Sequence, residues 1–425
     1  MRQSYQKLSA LSLVATFLSK NEILKQRLFR RFLAFRLFFI GALNMQITIL
    51  AYWIYDISHD VRLVGELGLW EAIPAIGCSF ISGHFIDQKE KRNILLTCSF
   101  IYILSALYFC GLSVWHGEEL TTDVTVRLVF LGIFIGGVVR SFIGPTTFTM
   151  VSLLVQRDKL ASATSWSSTA WYIGSVGGPL IGGLLIGFVG VKISLLIVAF
   201  LLSLAFLSML FIPRQEILKK DKEPILKSLK QGLRFVFKTP IILSVLSLDM
   251  FAVLFGGAVA LLPVYAKDIL KVGEMGFGVL RAAPGVGAIF TMLILSFLPL
   301  EKKPGIKLLL AITGFGICMI VFGVSTWFPL SVAMLVLGGM FDAVSVVIRG
   351  TILQLHTPDE MRGRVAAVNT MFISSSNELG EVESGYTAAW MGTVNSVVFG
   401  GSMTLVVVLF TILLVPSLRA LKLKK

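Results

Sequence analysis

Long apolar runs separated by short polar connections dominate this chain. Each run is long enough to cross roughly 30 Å of hydrocarbon as an α-helix. Twelve spans are predicted, at residues 33–56, 63–86, 93–114, 127–150, 160–188, 191–212, 240–264, 277–299, 305–324, 326–349, 366–393 and 397–416. Backbone polar groups inside a bilayer must be satisfied within the span, which favours helices over open strands. The pattern therefore predicts an all-α membrane protein with twelve transmembrane helices.

The polar connections divide the spans into two groups of six. The longest internal connection, residues 214–239, lies near the chain midpoint and mixes apolar with basic residues, which predicts a cytoplasmic linker. Two six-helix bundles are expected on either side, at 33–213 and 240–416, followed by a basic cytoplasmic tail at 417–425. Residues 1–32 also mix apolar and basic side chains and predict an amphipathic segment on the inner membrane surface.

Composition and charge support a membrane protein. Of the 425 residues, 56% are hydrophobic and only 15% are charged, whereas a soluble domain is roughly one quarter charged. A net charge of +14 would suggest a nucleic-acid partner in a soluble protein, but we expect none here. Thirty of the 38 Lys and Arg residues fall in connections on one predicted side of the membrane and five on the other. The positive-inside rule places the basic side, and with it both termini, in the cytoplasm.

Motifs of soluble enzymes are absent from the sequence. The four cysteines lie in apolar segments without metal or disulfide spacing, so packing is their expected role. There is no Walker loop, which argues against ATP-driven pumping by this chain alone, and no nucleophile elbow. We therefore expect neither an enzyme nor a cofactor nor a resident metal.

The connection between the second and third spans contains Gly83, Asp87 and a basic cluster that includes Lys91 and Arg92. This arrangement resembles the loop signature of the major facilitator superfamily, although Gln88 stands where a basic residue is usual. The resemblance implies that Gly83 permits close helix approach and that Asp87 caps or salt-bridges a neighbouring helix end. It also implies that the basic residues hold an inner gate.

A hypothesis follows for the partner of this gate. Two arginines, Arg362 and Arg364, begin the eleventh span on the same predicted side of the membrane. We expect Asp87 to lock the outward-facing state against the start of that span, near these arginines.

The fifth span contains the pattern Gly-x-x-x-Gly-Pro-x-x-Gly-Gly, formed by Gly174, Gly178, Pro179, Gly182 and Gly183. Small residues let helices pack closely in lipid, and proline removes one backbone hydrogen bond. The pattern resembles the antiporter motif of superfamily members that export substrate in exchange for protons. A general small-residue packing face is the alternative, and either interpretation predicts close helix packing.

Charged side chains within the spans are the candidates for proton coupling, because an ionisable group in hydrocarbon costs a few kcal/mol or more. The candidates are Glu71, Arg140, Asp249, Asp342, Glu378 and Glu381. Glu378 and Glu381 are three residues apart and share one helix face. Arg140 resembles the superfamily's intramembrane arginine, which is associated with proton coupling. The alternative is a structural network of ion pairs closed by Arg281 and Arg349.

Residues 249–289 and 349–386 resemble the branch of the superfamily that exports drugs, macrolides or siderophores. The resemblance implies a monomer in a bacterial inner membrane that works by rocking alternating access. The expected function is efflux of a small amphiphilic molecule, siderophore-like or drug-like, driven by the proton gradient. One alternative is a transporter of a metal ion or a lipid that uses the carboxylates as a cation site. Another is a non-transporting membrane sensor or scaffold.

Overall fold

Twelve long helices, α1 to α12, make up most of the computed structural model, which describes residues 22–214, 225–297 and 303–419. The first four are α1 Arg27–Ser58, α2 Val61–Gln88, α3 Lys91–Trp115 and α4 Thr122–Leu154. One helical segment, Leu160–Leu210, contains α5 (160–189) and α6 (191–210), which meet at Gly190 with φ 75°. The others are α7 Pro240–Gly256, α8 Gly273–Phe297, α9 Pro304–Val324, α10 Phe328–His356, α11 Arg362–Met391 and α12 Thr393–Leu414. A linker helix, Ile225–Lys238, precedes α7.

The predicted all-α fold with twelve helices is confirmed, and several of its boundaries move by four or more residues. Helix α1 begins at Arg27 rather than at residue 33, because Phe29 and Phe32 are fully buried in the first half. Helix α7 ends at Gly256 instead of continuing to residue 264, and short helical turns carry the chain on to Ile269. The predicted division into domains stays a prediction, since 1–21, 215–224 and 420–425 lie outside the described residues.

Hydropathy separates α2 and α11 from the other helices. Nine helical segments of the described chain are long and apolar enough to cross a membrane, and one of them, Ser162–Leu210, holds both α5 and α6. Helices α2 and α11 are not among the nine, and both carry several charged side chains. A spanning helix of this polarity is tolerated when its charged face meets a cavity or another helix. In this fold α2 packs along α11, so their charges lie between the two halves.

The two halves, α1–α6 and α7–α12, meet along two helix pairs. Helix α2 crosses α11, and α5 crosses α8. At the first crossing a Cβ atom added to Gly65 would lie 2.6 Å from the carbonyl oxygen of Glu381 and 3.2 Å from the Cα of Gly385. At the second, a Cβ added to Gly183 would lie 2.6 Å from the backbone nitrogen of Gly278. Both crossings therefore depend on glycines that bring backbones into direct contact.

The crossings lie towards one end of the molecule, which carries the α1–α2 and α7–α8 connections and is called the sealed end below. Among the residues that the structure describes, four polar side-chain contacts join the halves there, namely Tyr52 with Glu274, Tyr55 with Asp268, Asp56 with Lys267, and Glu66 with Tyr386. At the same end Asp60 caps the start of α2. Hydrogen bonds from Arg62 hold the pKa of the Asp60 carboxyl below its usual range.

Candidate functional site

A cluster of charged side chains lies where α2, α4, α8 and α11 meet. It lines a cavity of about 170 Å³. The first half supplies Glu71 and Arg140, and the second half supplies Arg281, Glu378 and Glu381. Four of the six residues proposed from the sequence for proton coupling are thus brought together across the boundary between the halves.

Glu71 and Arg140 form an ion pair within the first half. The Nη1 atom of Arg140 lies 2.8 Å from Oε2 of Glu71. The Arg140 side chain is still 52% exposed, against 21% for Glu71, so the guanidinium also faces open space. Arg140 can therefore respond to charge in the cavity while it remains paired.

The two carboxylates of α11 rest on the backbone of α2 at Gly68. A Cβ atom added to Gly68 would lie 3.0 Å from Oε2 of Glu381 and 3.3 Å from Cδ of Glu378. A side chain at position 68 would occupy the space that the carboxylates fill. Sequence reasoning missed Gly68, although two glycines three residues apart on a charged helix were a usable signal.

Arg281 is the fifth member of the cluster and interacts electrostatically with Glu381. Three carboxylates and two guanidinium groups leave one unit of negative charge when all are ionised. One bound proton makes the cluster neutral, and neutrality matters because an unbalanced charge away from water is costly. The alternative from the sequence is a structural network closed by Arg281 and Arg349. Of these two arginines, Arg281 lies in the cluster, and it balances only some of the negative charge.

Asp249 is held apart from this cluster. It pairs with Arg349 of α10, and Ser345 donates a hydrogen bond to its Oδ1 at 3.3 Å. Both charged side chains are almost fully buried within the second half. Asp342 lies two turns before Arg349 on α10, and its carboxylate has no hydrogen-bond partner among the described residues. Neither aspartate lines the charged cavity.

Lys91 and Arg92, predicted as gating residues, bind helix ends. The buried Nζ of Lys91 donates hydrogen bonds to the carbonyl oxygens of Ile86 and Lys89, which close the last turn of α2. Arg92 donates to the carbonyl oxygen of Leu210 at 2.8 Å and so joins the start of α3 to the end of α6. Both side chains fasten the first half at the end opposite the sealed end.

The other predicted gating residues are only partly described. Gly83 and Asp87 fall in the last turns of α2, but their surroundings lie outside the described part of the structure. Arg362 and Arg364 begin α11, where Arg364 donates to the sulfur of Met361 at 3.3 Å. The predicted lock between Asp87 and these arginines stays a prediction.

The glycines of α5 face two different helices. Three of them pack on α1, where added Cβ atoms would lie 2.9 Å from the Gly41 nitrogen for Gly174, 2.6 Å from the Gly41 oxygen for Gly178, and 3.4 Å from the Met45 Cα for Gly182. Gly183, by contrast, meets α8 of the other half. Pro179 lies inside α5. One motif therefore packs α5 within its own half and against the partner half.

Two further cavities continue from the charged cluster through the first half. The nearer, of about 360 Å³, is lined by α1 to α5 and shares Glu71 and Arg140 with the charged cavity. The farther, of about 470 Å³, shares Gly144 and Trp171 with the nearer one and extends to Ser152 at the inner end of α4. The three adjoin in series from the cluster towards the end opposite the sealed end. No periodic pattern in the sequence predicts this series, because its walls come from α1–α5 together with α8 and α11.

The comparisons with known proteins agree with this architecture. A sequence model of the Major Facilitator Superfamily matches residues 32–380. The enterobactin exporter EntS of Shigella dysenteriae serotype 1 (strain Sd197) is 26% identical over 397 residues, which cover 89% of this chain and 88% of the relative. The predicted resemblance to an exporter branch is thereby confirmed.

Solved structures with this fold are more distant in sequence. A D-xylose–proton symporter aligns with a TM-score of 0.72 at 13% identity, over 95% of this chain and 100% of its own. The inward-open xylose transporter XylE from E. coli aligns with a TM-score of 0.67 at 12% identity, over 91% and 96%. The family model covers most of the chain, and the exporters match it over nearly their whole length. The chain is therefore a multi-pass membrane transporter, not an enzyme, and belongs to the Major Facilitator Superfamily.

Proposed function

We propose that this transporter exports a small amphiphilic molecule, siderophore-like or drug-like, by proton-coupled alternating access. The observation that carries the proposal is the charged cluster, to which each half contributes. Its excess of one carboxylate gives one site at which a proton balances charge. The similarity to enterobactin exporters supports a siderophore-like cargo.

The orientation of the chain makes this conformation the loading state. The distribution of basic residues favours a cytoplasmic position for the linker helix and both termini. The sealed end then faces outwards, and the cavity series leads towards the cytoplasm of a bacterial cell. A monomer with this arrangement takes up cargo from the inner side of the membrane, as an exporter requires.

Release follows when the halves rock apart at the sealed end. Separation of α2 from α11 takes Glu378 and Glu381 off Gly68 and opens the charged cavity to the outside. A proton that enters from outside then neutralises the cluster and favours return to the sealed conformation. Loss of that proton to the cytoplasm completes one exchange of cargo for proton.

The alternative from the sequence is a transporter of a metal ion or a lipid that uses the carboxylates as a cation site, and the described residues give such a cation site no support. They contain no group of three or more His, Cys, Asp and Glu side chains placed to hold a metal ion. The carboxylates that do meet are accompanied by arginines, which repel a divalent cation.

The test uses reconstituted protein. Enterobactin, macrolides and drug-like dyes are screened for thermal stabilisation, and the compound that stabilises most is followed in liposomes under an imposed pH gradient. We expect Glu378→Gln and Glu381→Gln to lower gradient-driven flux at least roughly tenfold, since each removes the excess carboxylate. Glu383→Gln is the matched control, because Glu383 lies on the same helix but outside the charged cavity.

Unchanged flux in both cluster variants would remove this cluster as the proton site. In that case Asp342→Asn becomes decisive, because Asp342 is the remaining candidate without an arginine partner among the described residues. If that variant also transports normally, the proposed coupling is wrong.

A further inference from the structure

The nearer cavity of the first half contains two polar groups that lack partners. Gln46 of α1 is only 7% exposed, and its Oε1 atom has no hydrogen bond among the described residues. The buried Oγ atom of Ser105 of α3 likewise has no hydrogen bond among the described residues. Both residues line the cavity of about 360 Å³. Buried polar atoms without partners are rare in folded proteins, so these two require an explanation.

Two neighbouring polar groups on the cavity wall already have partners. The hydroxyl of Tyr102 donates to the carbonyl oxygen of Gly136 at 2.9 Å, and Glu71 is paired with Arg140. The exposed guanidinium of Arg140 also faces this cavity but makes no hydrogen bond to Gln46 Oε1 or Ser105 Oγ, so the partner for these two atoms comes from whatever fills the cavity.

The remaining wall favours an occupant with an apolar body. It is formed largely by aliphatic side chains of α1 and α4, such as Leu43, Ile47 and Ile133. The volume falls within the roughly 300–1,000 Å³ of pockets that bind small molecules. Water that enters from the open end would face mostly apolar wall, whereas ordered buried waters normally make about three hydrogen bonds.

We propose that this cavity is a binding subsite for an uncharged, largely apolar portion of the cargo that carries a hydroxyl or amide group. Gln46 accepts a hydrogen bond from that group, and the Ser105 hydroxyl donates to it or accepts from it. The ion pair on the wall is internally balanced, so the subsite selects no net charge. The assignment of the occupant as cargo rests on the proposed export function.

The subsite has an entrance and a link to the charged cluster. Gly144 and Trp171 border both this cavity and the larger one nearer the open side. A Cβ atom added to Gly144 would meet nothing within 4 Å, so space is free at that border. Glu71 and Arg140 line both the subsite and the charged cavity, so an occupant of the subsite contacts two members of the charged cluster.

The test measures binding without transport. The full chain carries Leu43→Cys as a reporter in the subsite, with Cys78, Cys98, Cys110 and Cys318 replaced by alanine, and is held in lipid nanodiscs. N-ethylmaleimide labels the reporter, and phenol is the probe because it is an apolar ring with one hydroxyl. Toluene is the matched probe without the hydroxyl. A cysteine at Leu196, exposed on α6, reports any effect that either probe has through the lipid.

We expect phenol to protect the reporter at a roughly tenfold lower concentration than toluene, as one gained hydrogen bond to a buried acceptor implies. Gln46→Leu preserves the volume and removes the acceptor, so it should abolish the advantage of phenol. Gly144→Leu should slow labelling by narrowing the entrance. Gly77→Leu is its control, because Gly77 also has free space around it but lines none of these cavities.

Two outcomes would overturn the subsite. If neither probe protects the reporter, the cavity holds only water. If phenol keeps its advantage in Gln46→Leu and in Ser105→Ala, the orphaned groups do not bind it. The proton proposal is tested separately, because labelling in nanodiscs involves no gradient, and normal flux in the Glu378 and Glu381 variants would leave a positive labelling result intact.

Discussion

The crossing of α5 and α8 gives the sharpest test of how the sealed end is held. Gly183→Ala adds one methyl group 2.6 Å from the backbone nitrogen of Gly278 and 2.8 Å from the carbonyl oxygen of Glu274. Ordinary contact begins near 3.4 Å, and the Cα of Gly278 lies closer still than its nitrogen, so the helices must separate by at least about 0.8 Å. Backbone atoms on both sides cannot turn away as a side chain can. The strain therefore falls on the conformation in which the crossing is closed.

The expected magnitude follows from overpacking. An extra methyl group in a tight interface costs about 1–3 kcal/mol. If only the sealed conformation bears this cost, the ratio of sealed to open molecules falls about 5- to 150-fold. Gly177→Ala on the same helix is the matched control, because its added Cβ would meet nothing within 4 Å.

The assay measures the distance between spin labels at Glu119 and Thr326, which are exposed on connections of opposite halves. We expect Gly183→Ala to broaden the distribution towards longer distances, while Gly177→Ala keeps the parent distribution. Identical distributions for the two variants would show that this crossing does not hold the sealed end closed.

Three further predictions concern other contacts. Asp249→Asn leaves Arg349 buried without its partner and should destabilise the protein by about 3 kcal/mol, measured as a lower Tm. Adding Arg349→Met to this variant should recover most of the lost stability. No recovery would contradict the pairing. Lys267→Gln removes a partly exposed pair with Asp56 and should cost at most about 1 kcal/mol in the same thermal assay; a larger loss would mean that the pair has a structural role beyond its charge. Gly232→Ala places a Cβ 2.8 Å from the carbonyl oxygen of Arg364 at the start of α11. The linker helix should therefore detach from α11, and trypsin should cut it faster. An unchanged rate of cutting would mean that the helix can shift without detaching.

Hydropathy predicted the twelve helices because hydrocarbon thickness sets their length and backbone hydrogen bonding sets their form. It could not predict the break after Gly256, since Gly256 and Gly257 interrupt α7 without changing its apolar character. The start of α1 was also misplaced. Phe29 and Phe32 alternate with arginines and look amphipathic in sequence, but they are buried against the first half.

The candidate site was predictable as a set of charges but not as a set of partners. The free-energy cost of a charge in hydrocarbon identifies Asp249 and Glu378 equally. In the structure, however, Asp249 is paired with Arg349, whereas Glu378 lines a cavity. The difference arises because Asp249 of α7 meets Arg349 of α10, whereas Glu378 of α11 meets the backbone of α2 at Gly68, and such pairings depend on packing between residues far apart in sequence. The same limit explains why Gln46 and Ser105 drew no attention, since their lack of partners is visible only in three dimensions.

The α2–α11 crossing and the charged side chains lie on the same two helices. This arrangement gives the proposed proton coupling a short physical route. On α2, Gly65 of the crossing and Gly68 beneath the carboxylates are three residues apart, and on α11, Glu381 and Gly385 are four apart. The proposed proton site and the α2–α11 crossing are thus about one helical turn from each other. A change in the charge of Glu378 or Glu381 alters the energy chiefly of the conformation in which these side chains lie buried on Gly68. Because a ligand shifts an equilibrium only through its different affinity for the two states, the proposed coupling requires only this local difference in proton affinity between the sealed and the open conformation.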